Sequence, residues 1–287
     1  MIFYIRDSFV PDAEATIPVL DRGFLYGDSV YETLRSRAGR VLFWRDHFER
    51  LARSASLLEI PLDRTADDLL GILKELSRRN GLDEARMRIV LTRGAGGPEQ
   101  LDGFVPTWVV LAEPFRGVPP ERYEQGIAAI LVSVSRHGVR CLNPEIKSSN
   151  LLNSVLARRE ALHAGAQEGI FLNPEGWLAE GAHSNLFWRT AGGALHTPAL
   201  RVGILPGITR KKIVAIAREL SIGVEEVEAP PEELERATEI FLTSTSWEAI
   251  AVTRYNGRPV GSGREGEWTR LFREKVRQLY DAPGESA

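Results

Sequence analysis

Lys147 lies in the segment PEIKSSNLLN, after a proline-containing loop and just ahead of a run that reads as a helix from about Ser149. A lysine amine aimed inward at the end of an irregular segment can condense with a carbonyl, provided it is neutral when it attacks. An ordinary lysine, with a pKa near ~10.4, is neutral in only about one molecule in 2,500 at pH 7. Burial and a neighbouring cation remove much of that cost. A solvated surface lysine is the plainer alternative. In ILPGITRKKIV, Gly207, Ile208 and Thr209 open a helix. Its first backbone N–H groups, with the Thr209 hydroxyl, can take an anion. Equally, Pro206-Gly207 turns the chain and Thr209 caps the helix. Thr243, Ser244, Thr245 and Ser246 (TSTS) place hydroxyls at the end of the apolar run EIFL, where they bind phosphate or satisfy a turn. Glu180 in LAEGAHSNLFW stands at a strand-to-turn junction, as a carboxylate that can keep a ring nitrogen protonated or as a surface acid. DRGFLYGDSVYETLR holds Arg22, Tyr26, Tyr31 and Arg35. Tyr31 and Arg35 have equal parity, so on an extended strand they share a face and can enter one cavity. A packed tyrosine and a surface arginine would satisfy the same pattern.

The elements that must position these groups follow from periodicity and punctuation. IFYI reads as a strand, and ETLRSR and RVLFW as two strands turning at Ala38-Gly39. DHFERLARSASLLEI is a helical pattern with Phe48, Leu51, Ala52 and Ala55 on one face. A second helix runs from Thr65 to about Arg79 with Leu69, Leu70, Leu73 and Leu76 as its stripe; Thr65 and Asp68 cap it and Gly81 stops it. RMRIVLTRG and TWVVLAE are strands. The proline- and glycine-rich PFRGVPPERYEQG marks a boundary: a small N-terminal domain over 1–117, a linker over 118–125 and a larger domain over 126–287. There IAAILVSV, GIFL, LAEG, SNLFW, EIFLTST and IAVTRY read as strands. SNLLNSVLARREALHAG is a helix with Leu151, Leu152, Val155, Leu156 and Leu162 mostly on one face, GITRKKIVAIARELSI a second, and GEWTRLFREKVRQLY a third. The pattern is a two-domain α/β or α+β fold rather than a bundle or sandwich.

Composition narrows the function classes. Apolar residues at 43%, charged residues at 26% and a formal charge of −3 describe an ordinary globular protein, with no basic block to meet a nucleic acid. No apolar run approaches the roughly 18 residues of a membrane helix. MIFYIRDSFV lacks the features of a signal peptide, and Cys141 is the single cysteine, so a reducing, cytoplasmic setting is expected. Five histidines without HxH or HxxxH spacing argue against a metal site.

Each of these signals is modest alone. Their order, DRGFLYGDSVYETLR, HFERL, EIKSSNLLNSVLARREA, LAEGAHSNLFW, LPGITR and FLTSTS, strongly resembles the class IV aminotransferases and covers nearly the whole chain. That family, of fold type IV, includes branched-chain amino acid aminotransferases, D-amino acid aminotransferases and aminodeoxychorismate lyase. The resemblance implies an enzyme of amino acid metabolism that uses pyridoxal 5′-phosphate to exchange the amino group between an α-amino acid, either a branched-chain or aliphatic L-amino acid or a D-amino acid, and a 2-oxo acid such as 2-oxoglutarate or pyruvate; the alternatives are a lyase of the aminodeoxychorismate type that releases pyruvate and a metabolite-binding homologue that does not turn over. Lys147 is then the Schiff-base lysine and proton shuttle, and Glu180 partners the pyridine nitrogen. Arg50, Ile208, Thr209 and Thr245 hold the phosphate, Gly207 and Ser244 also bind the cofactor, and Leu205 packs on the ring. Tyr31, Arg35, Arg88, Ser246 and Trp247 line the substrate pocket. The family's active site lies between its domains and is completed by a second subunit, so a homodimer is expected. Three departures bear on substrate. GAGGPEQLDGF lacks the Arg-x-His carboxylate trap of one D-amino acid type, Trp247 stands where branched-chain enzymes have small residues, and Leu151 stands where many members have tyrosine.

Overall fold

The computed structural model describes residues 1–100, 102–191, 193–282, 284 and 286–287. The chain divides into two units. The first is Met1–Arg116 with Ile146–Asn150 and Tyr280–Ala287; the second is Gly117–Glu145 with Leu151–Leu279. The stretch 118–125 therefore opens the second unit, while the short segment bearing Lys147 belongs to the first.

In the first unit the strands are β1 (Ile2–Ile5), β2 (Ser8–Pro11), β3 (Ser29–Arg37), β4 (Arg40–Val41), β5 (Ala85–Thr92) and β6 (Thr107–Pro114), and the helices α1 (Arg22–Tyr26), α2 (Trp44–Leu57) and α3 (Ala66–Asn80). The strands form a six-stranded sheet in the order β2-β1-β6-β5-β3-β4, antiparallel throughout. Strand β3 alternates as its sequence dictates. Val30 and Leu34 point into the core that Leu51, Leu69, Leu73 and Leu76 of the helices fill, and Glu32 lies in the same row. The turn from β3 to β4 has Ala38 at φ 49° and Gly39 at φ 73°, the pair of left-handed residues that lets a two-residue hairpin follow the strand twist. Helix α3 begins on the expected capping box, Thr65 with Asp68, and ends on Gly81 at φ 63°. DRGFLYG is not extended. Asp21 accepts from the Gly23 amide and starts helix α1, which turns Arg22 onto Asp28.

The second unit contains α4 (Pro120–Gln125), β7 (Ile127–Leu131), α5 (Leu152–His163), β8 (Glu168–Leu172), β9 (Leu178–Gly181), β10 (Asn185–Arg189), β11 (Leu195–Pro198), α6 (Ile208–Glu219), β12 (Val224–Val227), α7 (Glu232–Glu235), β13 (Glu239–Ser244), β14 (Glu248–Tyr255), β15 (Arg258–Pro259) and α8 (Glu267–Leu279). Its nine-stranded mixed sheet runs β12-β11-β10-β13-β14-β7-β8-β9, with β15 on β14. Phe187 and Phe241 stack at 5.0 Å, and Phe272 of α8 closes on Phe241 at 5.8 Å. No helix among the described residues is long and apolar enough to cross a membrane.

Helix α5 reverses the expected face. Its buried residues are Ser154, Ala157 and Ala161, while Leu152 is 70% and Val155 55% exposed. The reason is the closeness of helix and sheet. A Cβ built on Gly169 of β8 would lie 3.0 Å from the Ala157 carbonyl oxygen, so only small residues fit there. Ala161→Leu should therefore cost about 1–3 kcal/mol in denaturant unfolding by overpacking; unchanged stability would show that this face does not meet the sheet.

Candidate active site

Within the first unit, residue 147 is fixed through its backbone from two sides. The Tyr31 amide of β3 donates to the Lys147 carbonyl at 2.9 Å, and the Lys147 amide donates to Ser54 Oγ of α2 at 3.2 Å. Ser149 N–H to the Ser29 carbonyl at 3.0 Å and a bridge between Val30 and Ser148 continue the attachment. The amine that results is half-buried, with Nζ 4.5 Å from the centre of the Tyr31 ring. The Arg88 guanidinium lies 4.0 Å from the centre of the same ring. Antiparallel pairing sets Arg88 opposite Thr33, on the side of the sheet that carries Tyr31. Arg35, also of that parity, is buried 4.1 Å from the Phe115 ring and 5.9 Å from that of Tyr280.

The opposite face of β3 carries Glu32. Its two oxygens pair with Arg50 Nε at 2.7 Å and Arg50 Nη2 at 2.8 Å, and His47 Nδ1 lies 2.7 Å from the second oxygen. Burial alone would raise the Glu32 pKa, but the Arg50 charge and His47 outweigh it and hold the carboxyl well below the usual carboxylate range. Burial pushes the His47 pKa down, against the pull of Glu32. His47, Arg50 and Ser54 fall along one face of α2, so the helix that orients the guanidinium also anchors Lys147.

Within the second unit, Glu180 stands near the end of β9 with its side chain only 7% exposed. Arg136 Nη2 is 2.9 Å from Oε1; Asn185 Nδ2 and the Leu205 amide donate to Oε2 at 3.2 and 3.0 Å. Asn185 also donates to the Leu205 carbonyl at 2.9 Å, tying the carboxylate to the segment that leads into α6. There Gly207 is the helix N-cap, and no side chain caps the helix, so Thr209 does not serve as its cap. Both Ile208 and Thr209 are buried at that bare positive end. A Cβ on Gly207 would fall 1.8 Å from Asn185 Oδ1, so any other residue here would force the Asn185 side chain to shift. The hydroxyl run ends β13: Ser244 Oγ accepts from the Trp247 amide at 3.1 Å, and buried Thr243 Oγ1 has no hydrogen-bond partner among the described residues. Thr245 and Ser246 lie half-buried in this turn, and Trp247 packs against the core of the unit.

The structure thus gathers Tyr31, Arg88 and Lys147 in the first unit, with Arg50 on the other face of β3. In the second it gathers Glu180, Leu205 and Gly207. Sequence reasoning did not single out Glu32, His47, Arg136 or Asn185. The signal for Glu32 was present, since a charged residue stands at an inward position between Val30 and Leu34.

Known proteins resemble this chain over nearly its whole length. The model of the family Amino-transferase class IV matches residues 29–255. A putative branched-chain-amino-acid aminotransferase of Methanocaldococcus jannaschii is 37% identical over 97% of this chain and 96% of its own length. A D-alanine aminotransferase of Staphylococcus haemolyticus is 33% identical over 97% and 98%. The structure of the Escherichia coli branched-chain amino acid aminotransferase superposes with a TM-score of 0.94 at 31% identity, covering 99% of this chain and 98% of that one. The chain belongs to the class IV aminotransferases, enzymes that exchange an amino group between an α-amino acid and a 2-oxo acid and use pyridoxal 5′-phosphate. Gly207→Ala is expected to lose about 1–3 kcal/mol in thermal or denaturant unfolding through the clash with Asn185; an unaltered Tm would contradict the close approach.

Proposed function

We propose that this chain binds pyridoxal 5′-phosphate and transfers the amino group of an aliphatic or branched-chain L-amino acid to a 2-oxo acid such as 2-oxoglutarate or pyruvate. The observation that carries the reading is the two-sided backbone anchorage of Lys147, which is half-buried with its amine over the Tyr31 ring that Arg88 also approaches. The residues suit the cofactor. They offer an amine, a buried carboxylate, a helix N-terminus with no side-chain cap, and a buried Thr243 hydroxyl with no hydrogen-bond partner among the described residues. When bound, the cofactor supplies an electron sink for the carbon that loses a proton.

Lys147 would hold the cofactor and, once a substrate amine replaces it, move the proton at the substrate α-carbon. Glu180, oriented by Arg136, Asn185 and the Leu205 amide, would hold a proton on the ring nitrogen. Arg50, the amides of Ile208 and Thr209, and the hydroxyls of Ser244 and Thr245 would bind the phosphate. Leu205 would pack on the ring. Arg88 and Arg35 would orient the substrate carboxylate, with Tyr31, Ser246 and Trp247 shaping the pocket. The preference for an L-branched donor is supported by the branched-chain relatives.

Lys147→Ala should lower multiple-turnover transamination by at least about a thousand-fold; near-normal turnover would remove Lys147 from the mechanism. A panel of L- and D-amino acids read as half-reaction spectra should convert L-leucine, L-isoleucine and L-valine fastest, and faster conversion of D-alanine would overturn the substrate reading.

A homodimer is supported by the face that α5 turns outward, where Leu152 and Val155 are exposed with Leu156 beside them. Light scattering should give twice the 31.9 kDa chain mass, and Leu152→Asp with Val155→Asp should shift it toward the chain mass. A parent that scatters as a single chain would refute the dimer.

A further inference from the structure

Glu32 lies on the face of β3 opposite Tyr31, and there it is both buried and paired. Its side chain is 1% exposed and both oxygens are bonded to α2. A carboxylate at an inward strand position is expensive to bury, and replacing such a charged pair with apolar residues is often neutral or stabilising. Stability alone therefore gives little reason for it. What the pair does provide is orientation. An arginine side chain has several freely rotating bonds and a planar fork of five N–H donors. Glu32 grips that fork along its Nε and Nη2 edge with two nearly equal bonds, which fixes both the plane of the guanidinium and the direction its Nη1 side faces. His47, one helical turn earlier on α2, braces the second carboxylate oxygen from the other side, so Glu32 cannot swing away with the arginine.

We infer that Glu32 is a positioning residue: it presets the Arg50 guanidinium so that the cofactor phosphate meets a rigid edge rather than a mobile side chain. The inference rests on the proposed role of Arg50 at the phosphate. It adds that the affinity Arg50 supplies depends on a second, buried residue that touches neither substrate nor cofactor. Preorganisation of this kind raises affinity by sparing the ordering cost at binding. The effect is confined to the phosphate end of the ligand. A residue that merely holds α2 on the sheet would weaken every ligand of the site alike.

That difference is the test. The full-length enzyme, stripped of cofactor, is titrated with pyridoxal 5′-phosphate and, separately, with pyridoxal, which lacks the phosphate. Glu32→Gln should weaken pyridoxal 5′-phosphate roughly 10- to 100-fold, the usual cost of losing a partner that orients a ligand-binding side chain, and leave the Kd of pyridoxal unchanged. Glu32→Asp keeps the buried charge but shortens its reach. It should fall between parent and Glu32→Gln, and it carries the test if the glutamine variant does not fold. Arg50→Ala should lose phosphate-dependent affinity to a similar extent, and adding Glu32→Gln to it should cost nothing further. Equal weakening of both ligands, or no weakening of either, in the glutamate variants overturns the inference. If Arg50→Ala weakens pyridoxal 5′-phosphate while the Glu32 variants do not, Arg50 keeps its role and Glu32 loses its own. If Arg50→Ala changes nothing, the phosphate assignment of Arg50 fails and the inference falls with it.

Discussion

Two backbone hydrogen bonds carry the architecture of the first unit's chemistry: Tyr31 N–H to the Lys147 carbonyl and Lys147 N–H to Ser54 Oγ. They lay an irregular segment alongside β3 and pin it to α2 as well. A lysine side chain is long and loses much entropy when it is ordered, so an amine that must reach one atom needs its backbone fixed first. Once residue 147 is fixed, β3 can deliver the Tyr31 ring to the amine, and its register with β5 brings Arg88 to the same ring. The same helix that supplies Ser54 supplies Arg50 and His47 from the turns before it. One strand and one helix thus determine the placement of the amine and, through Glu32, of the cation.

Charge in both units is handled in a common way. Each buried carboxylate at issue is met by an arginine and a second donor: Glu32 by Arg50 and His47, Glu180 by Arg136 and Asn185. Unpaired, either would cost several kcal/mol in a protein interior. Paired, each meets an opposite charge, and the Glu32 carboxyl is held ionised. The sign of the Glu32 shift follows: its folded pKa is depressed, so its contribution to stability is present above the usual carboxylate range and is lost as acid pH falls through the folded value. Glu168 gives the turn after β9 a similar strut, accepting from the Gly169 and Ala182 amides and from Ser184 Oγ, and so supports the loop that brings Asn185 to Glu180.

Local chemistry was legible in the sequence where it depends on spacing. Equal parity placed Tyr31 and Arg35 on one face, Thr65 with Asp68 announced a capping box, and Pro206-Gly207 announced the start of α6. What stayed hidden depends on partners remote in the chain. Lys147 and Ser54 are 93 residues apart, and nothing near either residue names the other. Arg136 lies in a loop with no periodicity to connect it to Glu180. Helix α5 misled because its leucines form the stronger apolar pattern, while the sheet accepts only the alanines; a stripe of large residues says that a face will be covered, not by what.

In the proposed function the amine of Lys147 bonds the cofactor aldehyde, and the chain offers few competing side chains: Lys74, Lys211, Lys212 and Lys275. Borohydride reduction of the pyridoxal-phosphate-loaded enzyme makes that bond permanent, and peptide mass mapping then locates it. A single phosphopyridoxyl group on the peptide containing Lys147 is the expected result. The same group on any other lysine, or an unlabelled Lys147 in enzyme saturated with cofactor, would contradict the account.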